Sequence, residues 1–209
     1  MTPLFLPLRH AWPAWLLACA FAMPAQAERA DRAQPLNVAA DRQGIFDLAN
    51  QVVVFSGDVI ITKGTIVIKA ERVEVRESSD GYRTAVAIGS ENRPATFRQK
   101  RDNVEEYIEG QSNRLEYNEK TDTVRFVGDA KVYRLRGATI GDEITGNLIT
   151  YDNTSEVFSV TGKPPAAAGA PGGRVRAVLT PRAGTPAAAE AASQAAPSLR
   201  SSPSLGDKQ

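Results

Sequence analysis

Apolar side chains fall on every second position through the middle of the chain. Val53, Phe55, Gly57, Val59 and Ile61 place apolar or small residues on one face. Val124, Phe126, Gly128, Ala130 and Val132 repeat that face, with Thr123, Arg125, Asp129 and Lys131 opposite. A period of two is that of a strand buried on one side. Residues 65–76 (TIVIKAERVEVR) and 149–151 add further runs of the same kind. From 36 to 163 the chain is rich in Val, Ile, Thr, Tyr and Phe, without a helical period of useful length, so this region is expected to be all-β, made of antiparallel strands.

Three segments also resemble one another. Residues 41–59 (DRQGIFDLANQVVVFSGDV), 113–132 (NRLEYNEKTDTVRFVGDAKV) and 147–163 (NLITYDNTSEVFSVTGK) each give a strand with an aromatic residue, a polar turn, a second strand, and then Gly57, Gly128 or Gly162. One hairpin of this kind cannot bury its apolar face alone. The copies must stack into a continuous roll, and an open roll leaves unpaired edge strands at both ends.

The flanks differ from this region. Residues 1–27 begin with basic Arg9 and His10, continue in an apolar run containing Trp12, Trp15, Leu16, Leu17 and Phe21, and end in Ala25-Gln26-Ala27. That is the pattern of a signal peptide cleaved after Ala27, and it points to export to the periplasm. A rival reading makes Leu16-Leu17-Ala18-Cys19 a lipoprotein processing site that tethers the chain through Cys19. Residues 28–35 are expected to be a flexible N-terminus. Between 164 and 209, 13 Ala, 7 Pro, 5 Gly and 5 Ser make up 30 of 46 residues, the composition of a disordered segment. Here 164–173 reads as a linker and 182–209 as a disordered tail, with 174–181 alternating well enough for one terminal strand.

Removal of 1–27 takes away His10 and Cys19, the one His and the one Cys of the sequence. The remainder has no Cys or His nucleophile, base or metal ligand. No cofactor, metal site or catalytic residue is expected, and the protein is read as not an enzyme. Loss of Arg9 leaves 24 basic residues against 24 acidic ones, from 25 and 24 in the full chain. Such a balance gives no electrostatic footprint for nucleic acid. Gly57-Asp58 and Gly128-Asp129 suit a strand bulge better than a calcium site, since the third copy reads Gly162-Lys163. Glu105, Glu106 and Glu109, with Glu116 and Glu119 downstream, could be read as a hydrolase carboxylate pair, but the alternation through 104–109 is that of a strand or loop with a solvated face. The aromatic residues Phe46, Phe55, Phe97, Tyr117, Phe126, Tyr151 and Phe158 suit either a dry core or a lipid site, and composition does not separate the two.

Four segments, LNVAADRQGIFDLANQVVVFSGDVIITKGTIVIKAERVEV (36–75), RPATFRQ (93–99), IEGQSNRLEYNEKTDTVRFVGDAKV (108–132) and IGDEITGNLITYD (140–152), together resemble the LptA family of periplasmic lipopolysaccharide-transport proteins, which carry an OstA-like domain. FSGDVIITKGTI followed by PATF and then GD-x-IT is the specific combination, and the resemblance runs from about Leu36 to Pro181. It implies an OstA-like β-jelly roll, open at both ends, that binds the lipid A part of lipopolysaccharide in its interior. It further implies head-to-tail self-association and stacking with inner-membrane-anchored and outer-membrane jelly-roll components of the transport machinery, for assembly of the outer membrane. Leu36, Phe97 and Tyr117 match family positions that meet the acyl chains. Alternation extends the lining to Phe55, Val59, Phe126 and Ile149. The sequence departs from the family at 164–173, where a PPAAAGAPGG run precedes the last strand. The alternative is a structural strand-stacking envelope protein with no lipid cargo.

Overall fold

The computed structural model describes residues 31–102, 104–163 and 172–195. The predicted signal peptide, most of the linker and the end of the tail lie outside them. The strands are β1 (Asn37–Ala39), β2 (Gln43–Asp47), β3 (Val52–Lys63), β4 (Ile66–Glu77), β5 (Arg83–Ile88), β6 (Ala95–Lys100), β7 (Glu106–Ser112), β8 (Arg114–Asn118), β9 (Thr123–Arg136), β10 (Thr139–Asp152), β11 (Val157–Thr161) and β12 (Arg176–Leu179), followed by a helix, α1 (Pro186–Ala195). All strand pairs are antiparallel.

Four long strands set the architecture. In β3, β4, β9 and β10, the two halves of each strand have different short partners. The first half of β3 pairs with β2 and the second with β1. The other long strands divide in the same way between β6 and β5, β8 and β7, and β12 and β11. One face therefore runs β2-β3-β4-β5-β8-β9-β10-β11, and the other runs β1-β3-β4-β6-β7-β9-β10-β12. The two are halves of one twelve-stranded sheet folded over on itself.

The fold line is built from bulges. Ser56 pairs with Arg72 and Val59 with Ala70, so Gly57 and Asp58 together oppose Glu71 alone. In the second hairpin Val127 pairs with Leu148 and Ala130 with Gly146, so Gly128 and Asp129 oppose Asn147. Both pairs lie in the left-handed region, at φ 87° and 43° for Gly57 and Asp58 and at 78° and 48° for Gly128 and Asp129. An extra residue shifts the partner strand by one, and every later side chain changes face. On β4 the inward residues accordingly pass from Ile66, Ile68 and Ala70 to Val73 and Val75. Without that change, half of β4 would turn its apolar side chains to water. The short strands turn the same corner, held where Asp41 N–H donates to Gly57 O at 2.8 Å and Asn113 N–H to Gly128 O at 3.0 Å.

The three similar segments are three similar turns. Asp47, Asn118 and Asp152 each accept backbone N–H groups of the loop that follows. Four residues later, Gln51, Asp122 and Glu156 sit at φ 53°, 51° and 56°. A side-chain acceptor at the strand end and a left-handed residue before the next strand close each hairpin in the same register.

Two stretches expected to lack structure are ordered in part. In the segment read as a flexible N-terminus, residues 31–34 form a turn with Gln34 N–H donating to Asp31 O at 3.1 Å. The contacts that pin it come from residues 34 and 68 positions away, which local composition does not register. Within the tail read as disordered, α1 forms because six of its ten residues are Ala, Pro186 stands at its first position, and the Thr185 hydroxyl accepts from Ala188 N–H at 3.4 Å.

Gly128→Ala is expected to cost about 1–2 kcal/mol, from the left-handed backbone and from a Cβ placed 2.9 Å from Asn113 Nδ2. Urea unfolding of the variant beside the wild type measures it.

Candidate functional site

Between the two faces runs one apolar interior. Val59, Phe126 and Ile149 are fully shielded from solvent, Phe97 and Tyr117 are 2% exposed, and Leu36 and Phe55 are half-buried against them. All seven residues picked from the sequence thus belong to a single cluster. Each stands on the inward register of its strand, except Leu36, which enters just before β1.

Phe97 and Phe126 meet edge to face at 5.7 Å, near the middle of the roll. That contact depends on Gly110 of β7, where an added Cβ would lie 2.2 Å from Phe126 Cε1. Small residues recur around the rings: Ala70, Ala85, Ala87, Ala95 and Ala130 are all buried. The interior thus combines a few large rings with alanines and with branched side chains such as Ile61, Ile68, Ile108 and Leu115. Toward the β11–β12 end it opens into a cavity of about 180 Å³ lined by Ile108, Val132, Ile144, Tyr151, Phe158 and Leu179 and, on its polar side, by Arg101, Arg134, Asp142 and Glu156, with Tyr151 and Phe158 stacked at 4.4 Å. Burial raises the pKa of Tyr117 well above the usual phenol range, reinforced by the Asp122 carboxylate. Burial, with the charge of Glu156, pushes Tyr151 up to about 12. Both rings stay neutral at any physiological pH.

Opposite the fold line, the far edges of the two faces approach each other like lips. The β3–β4 and β6–β7 turns form one lip, and the β8–β9 and β10–β11 turns form the other. Polar contacts bridge them. Lys63 Nζ donates to Glu119 Oε1 at 2.8 Å, and Arg101 to Glu156 at 2.5 Å. The Lys63 side chain is 2% exposed, a buried cation that also donates to Arg32 O at 3.0 Å and Gln34 O at 2.6 Å. Burial pushes the Glu119 pKa up, but hydrogen bonds from Lys63 and Arg83 N–H and the two positive charges outweigh it, so the carboxyl titrates below its ordinary value.

The acidic residues weighed as catalytic are held by basic partners. Glu105 pairs with Lys100, Glu109 with Arg98, and Glu106 with Arg101 inside a network that includes Arg134, Arg136 and Asp142. At the bulges, Asp58 accepts from Arg93 at 2.5 Å and Asp129 from Asn113 at 3.2 Å.

Sequence reasoning missed the lip residues Asp31, Lys63 and Arg101, and weighed Glu119 only as part of an acidic cluster. One signal was available for Lys63. It falls on the same register as Val59 and Ile61 of β3, so the alternation already turned a lysine toward the apolar side.

A folded-over antiparallel sheet with an apolar interior and free edge strands defines a β-jelly-roll protein of the OstA-like class. A family model described as "LptA/(LptD N-terminal domain) LPS transport protein" matches residues 37–157, and the chain belongs to that family. It is 33% identical over 162 residues to the lipopolysaccharide export system protein LptA of Escherichia coli K12, covering 78% of this chain and 80% of that protein. The LptA of Haemophilus influenzae is 32% identical over 132 residues, 62% of this chain and 71% of that one. Among solved structures, LptH of Pseudomonas aeruginosa, described as the LptA homologous periplasmic component of a lipopolysaccharide transport device, superposes with a TM-score of 0.62 at 24% identity, over 73% of this chain and 99% of that one. The role of this protein is in lipopolysaccharide transport.

Two outcomes follow from the geometry. Gly110→Ala is expected to destabilise the fold by about 1–3 kcal/mol through overpacking against Phe126, and Phe126→Leu in the same chain should recover part of that loss in a double-mutant cycle. Glu119→Gln, which strands the Lys63 ammonium, is expected to cost about 3 kcal/mol at pH 7. Because the Glu119 pKa is lowered from 4.5 in the fold, the contribution is complete above that value and fades as pH falls through the depressed one. Unfolding curves of wild type and variant should therefore converge in acid.

Proposed function

We propose that the interior binds the acyl chains of lipid A and that the protein carries lipopolysaccharide across the periplasm, from inner to outer membrane, as one segment of a bridge. The observation that carries this is the single apolar cluster running between the two faces, from Leu36 at one end to Phe158 at the other. Leu36, Phe55, Val59, Phe97, Tyr117, Phe126 and Ile149 are its lining. Each CH₂ removed from water is worth about 0.8 kcal/mol, so a lipid with several chains needs a shielded path through an aqueous compartment. A series of similar apolar interiors supplies one without chemistry on the lipid. The predicted signal peptide, cleaved after Ala27, supports placement in the periplasm.

The edges of the sheet support the rest of the reading. β1 and β2 close one end of the sheet order and β11 and β12 the other, leaving strands able to pair with another chain. We assign these edges to head-to-tail stacking, with further copies and with the inner-membrane-anchored and outer-membrane jelly-roll components. A second reading, a stacking protein with a dry interior, is favoured by the close packing of the central residues, which are at most 2% exposed.

A photo-crosslinking residue placed singly at Phe97, Tyr117, Phe126 and Ile149 in growing cells separates the two. Lipopolysaccharide adducts at these positions, absent from outward-facing controls at Lys69 and Arg125, are the expected result. Adducts at none of the four would leave the dry scaffold.

A further inference from the structure

The lip holds a second feature that hydrophobic packing does not explain. Asp31 is 6% exposed, and among the described residues no lysine or arginine pairs with it. Its carboxylate is held by neutral donors. Oδ1 accepts from Thr65 N–H at 2.6 Å, and Oδ2 accepts from the Thr65 hydroxyl at 2.6 Å and from Gln99 Nε2 at 3.2 Å. The β3–β4 tip is moulded around it: Gly64 lies at φ 58°, and a Cβ there would fall 2.1 Å from Asp31 Oδ1. Burying a carboxylate without a cation is costly unless its lone pairs are met. Here a backbone N–H, a hydroxyl and an amide converge to meet them.

Lys63 lies in the same lip, with its ammonium capped by the carbonyls of Arg32 and Gln34. Residues 31–36 are thus a strap. Its acid fills a nest of donors, its carbonyls satisfy a buried cation, and Leu36 packs on the interior. When the strap lifts, it leaves three neutral donors at the rim of an apolar chamber, beside a Lys63 ammonium that stays paired with Glu119. One atom of the nest is already unsatisfied: Gln99 Oε1 is buried without a hydrogen-bond partner. A carboxylate has no proton to give it, whereas a singly protonated phosphate monoester has both acceptor oxygens and a hydroxyl donor.

We propose that the nest formed by Thr65 and Gln99 is a phosphate site, occupied in this structure by the Asp31 carboxylate as an internal stand-in, and that a phosphate group of the cargo's head displaces the strap. The inference rests on the carrier reading for the identity of the cargo, but the phosphate site itself does not. Acyl chains in the interior and a phosphate at the lip are the two ends of one amphipathic ligand. The strap competes with that ligand, so its release is coupled to loading.

The test uses the purified protein, with the Thr65 amide and the Gln99 side-chain amide followed by NMR, and two lipids: lipopolysaccharide, and the same material with its lipid A phosphates removed enzymatically. In the wild type, inorganic phosphate at millimolar concentration should leave both signals in place. In Asp31→Ala it should shift both, saturably. Asp31→Ala should bind intact lipopolysaccharide about fivefold or more tightly than the wild type and show no gain on the dephosphorylated lipid. Asp31→Ser, which removes the carboxylate and keeps a short polar side chain, gives the same readout if the alanine variant is poorly folded. A phosphate titration that moves neither signal in either variant overturns the site. A gain that is equal on both lipids, or a loss on both, overturns the displacement of the strap by phosphate. If no form binds lipopolysaccharide, the carrier reading fails, and the titration still decides whether the nest takes phosphate.

Discussion

Four strands that each belong to two faces are the constraint on which the rest of the molecule depends. A strand shared by two faces must bend at its middle while keeping its apolar side chains inward on both sides of the bend. The bulges at Gly57-Asp58 and Gly128-Asp129 meet both demands. The extra residue bends the strand and moves the partner by one position, so that Ala70 and Val73, three apart on β4, both face inward. With the fold line fixed, the short strands have one place to pair, and the interior becomes continuous from end to end.

The same geometry divides the molecule into a covalently continuous side and a side where polar contacts bridge the faces over the apolar interior. Along the fold line, strands β3, β4, β9 and β10 run unbroken from face to face. Along the lips, the faces are joined by the Lys63–Glu119 and Arg101–Glu156 pairs and by the 31–36 strap. Ion pairs and single hydrogen bonds are each worth a few kcal/mol at most, and their groups regain water when separated. Parting strands along the fold line would break backbone ladder bonds in addition to exposing core. The central part of the interior is filled by its own side chains, so a ligand taken up there is expected to spread the lips rather than the fold line.

Much of this was legible in the sequence because a period of two leaves little freedom once one face is apolar. The inward residues of β3 and β9 follow directly from it, and the three turns recur with recognisable acceptors at Asp47, Asn118 and Asp152. The grouping of Leu36, Phe97 and Tyr117 with Phe126 came from family resemblance and alternation together. The contacts across the lips were not legible. Asp31 reaches Gln99 across 68 positions and Lys63 reaches Glu119 across 56, and nothing local marks either pair. Composition likewise described α1 poorly: the alanines that suggest a featureless tail are also strong helix formers once Thr185 and Pro186 supply a start.

A distance measured across the lips tests the account most directly. Spin labels at Asp102 and Thr121, both exposed and on opposite lips, would report the separation in the purified protein before and after lipopolysaccharide is added. The account requires the distance distribution to shift outward by several ångströms as lipid binds, while a pair lying along the fold line, at Asp58 and Asp129, stays fixed. Lipopolysaccharide bound at saturation with the lip distance unchanged would contradict it.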